Sequence, residues 1–508
     1  MNLALRTFGV TCVFFVIQLA NFALGQPVKL SWDSASASGE VGYNVYRSNR
    51  AGVYTKPPLN GSKLLRTPAF TDSTAQTGQT YYYAITSVSR TGLESGYSNE
   101  VELVVKPSPI VNTPAAAGMP PAAHNIGSSI RTRPDQSSGM AIIRSEQNRV
   151  LVSQAAIRAA PLMRTGRTYV EFQQSVNTGV ALVNPNAYSV VVDFYFADEN
   201  GMKLYSGSLT LGPNADTVGF LNEAPFAPQA KSDLRKARTF TFSASAPIAF
   251  TAVRGFTNER SEFIMTPLPV PMWETTATAP SVIPYYTHGG PWKARIIMTN
   301  PANTALSGVL EVFTSRGADS VQRVNYIIPS SSAISVLLGG PEADMRGGWI
   351  RINPNEGTVR PSALALLSFR SNDGSDYEFG VAAVPEESAF RIYTETSGVK
   401  QEPGPIQSNV VLTNSSSTPA MIHLEALQMD GTQTGLHRIL QVPPSSQTSI
   451  SDEITELLKN TGPFKGFLRF SGAPIAAAGL NAAYNERGHL LVTAMPAIPE
   501  SVLASGAE

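Results

Sequence analysis

The sequence predicts an all-β protein built from tandem antiparallel sandwiches, and three observations carry that prediction. Apolar and polar residues alternate in short runs, as in Val28-Lys29-Leu30-Ser31 and Gly42-Tyr43-Asn44-Val45-Tyr46-Arg47. With 40 Gly and 37 Pro among 508 residues, turns are frequent, yet the composition is far from collagen-like. From residue 170 onward one pattern recurs three times, its marker asparagines (Asn184, Asn300 and Asn414) spaced 116 and 114 residues apart.

Residues 1–25 have the anatomy of a signal peptide. Arg6 supplies the positive start, Phe8 to Leu19 form an apolar run, and Ala23-Leu24-Gly25 puts small residues before a cut at Gln26. The run falls short of the roughly 20 apolar residues that a membrane span needs. Cys12, the single cysteine, sits inside this segment. The expected mature chain therefore has no disulfide, no thiolate metal site and no cysteine nucleophile. Its expected location is secreted, periplasmic or cell-surface, with no membrane span after signal cleavage. The 38 basic side chains balance 38 acidic ones, which argues against a nucleic-acid partner.

The next segment opens with Leu30 and Trp32 on one strand face and continues with the Tyr43–Arg47 strand. Gly78-Gln79-Thr80-Tyr81-Tyr82-Tyr83 and Gly92-Leu93-Glu94-Ser95 then follow in order. On these motifs residues 27–106 resemble a fibronectin type III domain. The resemblance implies a seven-stranded, two-sheet Greek-key sandwich in which Tyr81 is a buried corner tyrosine bonded to upstream backbone, with Tyr83 and Ile85 inward. Consecutive tyrosines in a strand point to opposite faces, so Tyr81–Tyr83 do not make a ladder for stacking sugars.

Pro107, Pro109, Pro114, Pro120, Pro121 and Pro134 mark a spacer. Residues 107–168 read as this Pro/Ala-rich linker plus a basic lead-in with Arg144, Arg149, Arg158, Arg164 and Arg167. Three units follow, at 169–270, 281–386 and 390–499. Each marker asparagine comes after an apolar strand, with a Gly seventeen residues later (Gly201, Gly317, Gly431) and a Pro twenty-nine later (Pro213, Pro329, Pro443). Phe194, Leu310 and Leu424 should face inward, as should Phe196, Val312 and Ala426, while Tyr195, Glu311 and Glu425 face out. Later in each unit come Ala246-Pro247-Ile248, Pro361-Ser362-Ala363 and Ala473-Pro474-Ile475, then exits at Pro269, Pro385 and Pro496. Ser451–Leu458 reads as a short helix in the third copy. The units resemble the tandem β-sandwich repeats of large secreted bacterial proteins. The predicted architecture is thus a fibronectin type III sandwich, a Pro-rich linker and three tandem immunoglobulin-like β-sandwich repeats, arranged in a row.

Chemistry is sparse. The five histidines form no His-x-x-x-His pair, and no zincin, nucleophile-elbow, phosphate-loop or dinucleotide fingerprint occurs. No catalytic residue, metal site or cofactor is expected. Asp198-Glu199-Asn200 and Asp373-Gly374-Ser375-Asp376 read as turn formers in preference to calcium ligands. Trp273, Tyr285, Tyr286 and Trp292 cluster at the first repeat junction, either as a ligand cleft or as apolar packing between sandwiches. The expected function is non-catalytic extracellular binding, adhesion or scaffolding, with an unknown extracellular protein or polysaccharide as partner. The alternative is a polysaccharide-binding accessory protein that uses those four aromatics.

Overall fold

The computed structural model describes residues 28–31, 40–104 and 140–500, with short breaks inside the two longer stretches. The signal segment 1–25 with Cys12, Trp32, the spacer 107–139 and Trp273 lie outside the described residues. The chain is nearly all β and forms two compact units, Met1–Ser129 and Ile130–Glu508. Among the described residues no helix is long and apolar enough to cross a membrane.

In the first unit β1 (Val28–Ser31) pairs with β3 (Ala69–Asp72), while β2 (Glu40–Ser48), β4 (Thr80–Ser89) and β5 (Val101–Val104) form a second antiparallel sheet. Alternation along β2 and β4 sends Tyr43, Val45, Tyr81, Tyr83 and Ile85 into a core with Leu30 and Ala75. The Arg47 guanidinium lies 4.5 Å from the centre of the Tyr81 ring. It also binds Asp72 Oδ2 at 2.6 Å, the oxygen to which Tyr83 donates at 2.8 Å.

The second unit opens on a hairpin, β6 (Met140–Gln147) and β7 (Val150–Arg158), in the stretch that reads from sequence as lead-in. The first repeat then begins before residue 169, with β8 (Leu162–Tyr169). It continues through β9 (Val176–Val183), β10 (Val190–Ala197), β11 (Lys203–Leu211), β12 (Asp216–Phe220), β13 (Thr239–Thr257) and β14 (Phe263–Leu268). The second has β15 (Ser281–His288), β16 (Trp292–Thr299), β17 (Leu306–Thr314), β18 (Gln322–Ile328), β19 (Ala333–Leu338), β20 (Arg346–Pro354), β21 (Ser362–Arg370) and β22 (Asp376–Ala382). The third has β23 (Glu387–Thr396), β24 (Gln407–Asn414), β25 (Ala420–Gln428), β26 (Gln433–Val442), β27 (Ser446–Ser449), α1 (Ser451–Leu458), β28 (Phe464–Tyr484), β29 (Leu490–Met495) and β30 (Ile498–Pro499).

The three repeats have one topology. In the second, the sheets run β15-β20-β17-β18 and β19-β16-β21-β22. In the first and third, one long strand serves both sheets. β13 pairs with β8 and β10 through its first half and with β9 and β14 through its second, and β28 behaves likewise. The transfer falls at Ala246-Pro247 and Ala473-Pro474, where proline withholds an N–H from the ladder. Gly201 and Gly431 take φ of 79° and 84° in their hairpins, as a tight turn requires.

The marker asparagines are internal ties. Asn300 Nδ2 donates to the carbonyls of Thr304, Ile328 and Pro329 at 2.8, 3.1 and 2.9 Å. Asn414 makes the same set to Thr418, Val442 and Pro443. Asn184 binds Tyr188, Leu211 and Gly212, so the first copy is one residue shorter here and Gly212, not Pro213, holds the place of Pro329 and Pro443.

The sandwiches are not strung in a row. Residues 130–508 form one compact unit in which the core of the first repeat takes in Ile297, Leu364 and Leu366 of the second. That of the second takes in Val411, Ala478 and Leu480 of the third. Arg167, fully buried, donates to the carbonyls of Asn300 and Ala302 at 2.6 and 3.0 Å. Gln447 Nε2 likewise reaches Pro284 O and Gly348 O at 2.6 and 2.7 Å. The last strands of the repeats meet: β14 packs on β22, β22 on β29, β29 on β7, and β7 on β14. The hairpin closes a ring of four strands about a common axis, and Ile264, Tyr377 and Leu491 share a cluster there.

Candidate functional site

Two features stand out, one in each unit. In the first unit, β2 supplies Tyr46, the following turn supplies Tyr54, and the loop after β4 supplies Tyr97. Tyr97 is 47% exposed, edge-on to Tyr46 at 5.1 Å and tilted against Tyr54 at 4.8 Å. Two carboxylates hold Tyr54 and Tyr46 by their hydroxyls. Tyr54 donates to Glu100 Oε2 at 2.6 Å, and Glu94 Oε1 accepts from Tyr46, Thr86 and Asn44 at 2.6, 2.6 and 2.8 Å. Lys56 Nζ meets Glu94 Oε2 at 3.0 Å. Burial works against the Glu94 charge, but the Thr86, Tyr46, Asn44 and Lys56 donors outweigh it and bring its pKa down to about 2. Burial and the neighbouring carboxylates push the Tyr46 and Tyr54 hydroxyls up, so both stay protonated donors. Tyr46 and Tyr54 are thus held by their hydroxyls and Tyr97 leans on both rings, with Val53 and Leu93 exposed nearby in sequence and Lys56 paired to Glu94. Tyr54 and Tyr97 lie 43 positions apart, and no spacing rule joins them.

The sequence-predicted quartet is placed differently. Trp273 lies outside the described residues. Tyr286 is 1% exposed, donates to Phe313 O at 3.1 Å and stacks on His288. Tyr285 and Trp292 are partly buried against the core of the second repeat, and Trp292 packs on Phe369 at 4.8 Å and Phe379 at 6.2 Å. These contacts of Tyr286 and Trp292 lie within a single sandwich.

The second feature lies on the axis of the second unit. The four ring strands run side by side from an ionic end to an apolar one. At the ionic end, Tyr377 donates to Glu262 Oε2 at 2.9 Å and lies 2.8 Å from His489 Nδ1. His489 Nε2 is 3.1 Å from Asp373, Arg260 bridges Asp373 and Glu262, and Arg487 pairs with Glu262. Each repeat contributes to this cluster. Burial opposes the Glu262 charge, yet Asn258, Tyr377 and Arg260 hold its pKa below the usual range, while backbone donation from Ser375 leads the fall of Asp373 to about 2. A hydroxyl, an imidazole and a carboxylate stand in line here, but Tyr377 is only 3% exposed. The cluster joins the three sandwiches.

At the apolar end is a cavity of about 360 Å³. Its walls include Phe250, Leu364, Val381, Ala478 and Met495, with contributions from all three repeats and from β7. Pro269, Pro385 and Pro496, conspicuous in sequence as equivalent exits, line it together.

No protein-family model matches the chain. Amylopullulanase of Thermoanaerobacter thermohydrosulfuricus is 40% identical over 76 residues, 15% of this chain and 5% of that protein. Amylopullulanase of Thermoanaerobacterium thermosulfurigenes is 38% identical over 74 residues, 14% of this chain and 4% of that protein. The chain therefore spans only a twentieth or less of the length of these curated relatives. Among solved structures, Streptomyces avermitilis alpha-L-rhamnosidase complexed with L-rhamnose has 11% identity and a TM-score of 0.13, over 91% of this chain and 56% of that one. SGBP-B of the Bacteroides ovatus mixed-linkage glucan utilization locus, in complex with a mixed-linkage heptasaccharide, has 9% identity and a TM-score of 0.13, over 92% of this chain and 98% of that one. At a TM-score of 0.13 neither likeness bears on function here.

Proposed function

We propose that this is an exported, non-catalytic, polysaccharide-binding accessory protein whose first unit is a fibronectin type III module that docks on an α-glucan. The observation that carries this reading is the exposed Tyr97 ring packed on Tyr54 and Tyr46, whose own hydroxyls are held by Glu100 and Glu94. A pyranose lays its C–H face on an aromatic ring, while its hydroxyls need donors and acceptors at the rim; Lys56 and the carboxylates supply both signs. Support for an α-glucan comes from the two amylopullulanases, whose matched stretches of 76 and 74 residues approach the length of one such module. Export is supported by the signal-peptide anatomy of residues 1–25.

The test is a pull-down of the full chain on insoluble starch. Tyr97→Ala is expected to weaken retention about tenfold, equivalent to ~1.4 kcal/mol, and Tyr97→Phe to preserve it. Retention unchanged in Tyr97→Ala, or no retention of the natural chain, overturns the reading.

A further inference from the structure

We propose that the axial cavity of the second unit binds a single aliphatic chain with a carboxylate head, the chemistry of a medium-chain fatty acid. The site is independent of the tyrosine cluster and belongs to no one sandwich, because it exists only where three repeats and the hairpin meet.

Three observations converge. The first is size. At about 360 Å³ the cavity lies near the lower end of small-molecule sites, which span roughly 300–1,000 Å³, and this favours one chain over a two-chain lipid or a sterol. The second is lining. Ala156, Met163, Phe250, Leu364, Val381 and Met495 make the greater part of the wall apolar, a surface that an aliphatic chain can cover. The third is charge. Arg158, at the end of β7, is exposed and lines the cavity, and among the described residues it has no hydrogen-bonded carboxylate. Among those residues Glu387 is the one carboxylate whose charge acts on the Arg158 guanidinium, and Arg360 draws on the same Glu387. Two cations thus share one carboxylate, which leaves a positive surplus for an anionic head. The acyl chain would occupy the apolar interior with its carboxylate at Arg158.

Calorimetric titration of the full chain with dodecanoate and, separately, with dodecan-1-ol tests the site. Dodecanoate is expected to bind saturably at one equivalent. Arg158→Gln should weaken dodecanoate about tenfold and leave dodecan-1-ol unchanged. Ala383→Phe, which adds a ring to the lining, should reduce both. Since Arg158 is exposed, its variant should keep the natural melting temperature, so that loss of binding cannot be ascribed to unfolding. Absence of saturable binding overturns the proposal. So does equal binding of acid and alcohol with no response to Arg158→Gln.

Discussion

Replacing Asn300 with Ala should cost about 3 kcal/mol of stability, among the larger effects of any single substitution in the second unit. The side chain is fully buried and uses both ends. Its amide nitrogen serves three carbonyls, and its oxygen accepts from Ala302 N at 2.7 Å. Truncation strands those backbone groups, each worth about 1 kcal/mol when left without a partner. It also loosens the loop whose carbonyls receive Arg167 from the first repeat. Asn300→Asp should be worse than Ala at neutral pH, since a carboxylate would face three carbonyl oxygens. Chemical denaturation of the full chain measures both. A cost for Asn300→Ala of only a few tenths of a kcal/mol would mean that water replaces the side chain. Asn184→Ala and Asn414→Ala should fall in the same range, because the bond sets match.

The same residues show what a single sequence can disclose. Phe194, Phe196, Leu310, Val312, Leu424 and Ala426 all lie in cores, because alternation reports the face of a strand directly. Spacing revealed the triplication, although Pro213 imitated the register of Pro329 and hid a one-residue deletion. The ring of sandwiches was harder to see. Its trace lies in runs without alternation, such as Ile296-Ile297-Met298 and Ala363-Leu364-Ala365-Leu366-Leu367, where both faces of a strand are covered. Such runs do not say what covers them. Arg167 illustrates the same limit, since it reads as one of several basic residues before a domain, while its carbonyl partners stand more than 130 residues away. The tyrosine cluster escaped for a related reason, as its rings come from separate segments that only folding brings together.

Glu171→Gln tests whether the first two sandwiches are fastened by buried charge. Glu171 and Arg254 belong to the first repeat, Arg295 and Glu378 to the second. Glu171 Oε2 accepts from Arg254 at 3.2 Å and from Arg295 at 2.8 Å, and Arg254 also pairs with Glu378. Side-chain exposures of 7% for Glu171 and 6% for Arg254 put the pair out of water, so removing one charge leaves its partner desolvated. The expected loss at neutral pH is about 3–5 kcal/mol. The pH dependence follows from the direction of the shift. Burial opposes the Glu171 charge, but Arg295 and Arg254 overcome it and hold the folded pKa below the ordinary value of 4.5. A depressed folded pKa gives stability that is complete above 4.5 and disappears as pH falls through the folded value. The natural chain and Glu171→Gln should therefore differ fully at pH 7 and converge on acidification below 4.5, where the natural carboxyl itself becomes neutral. Denaturation midpoints across that range decide the matter. A gap that stays constant into acid would assign the loss to altered packing and deny the ion pairs their role in joining the sandwiches.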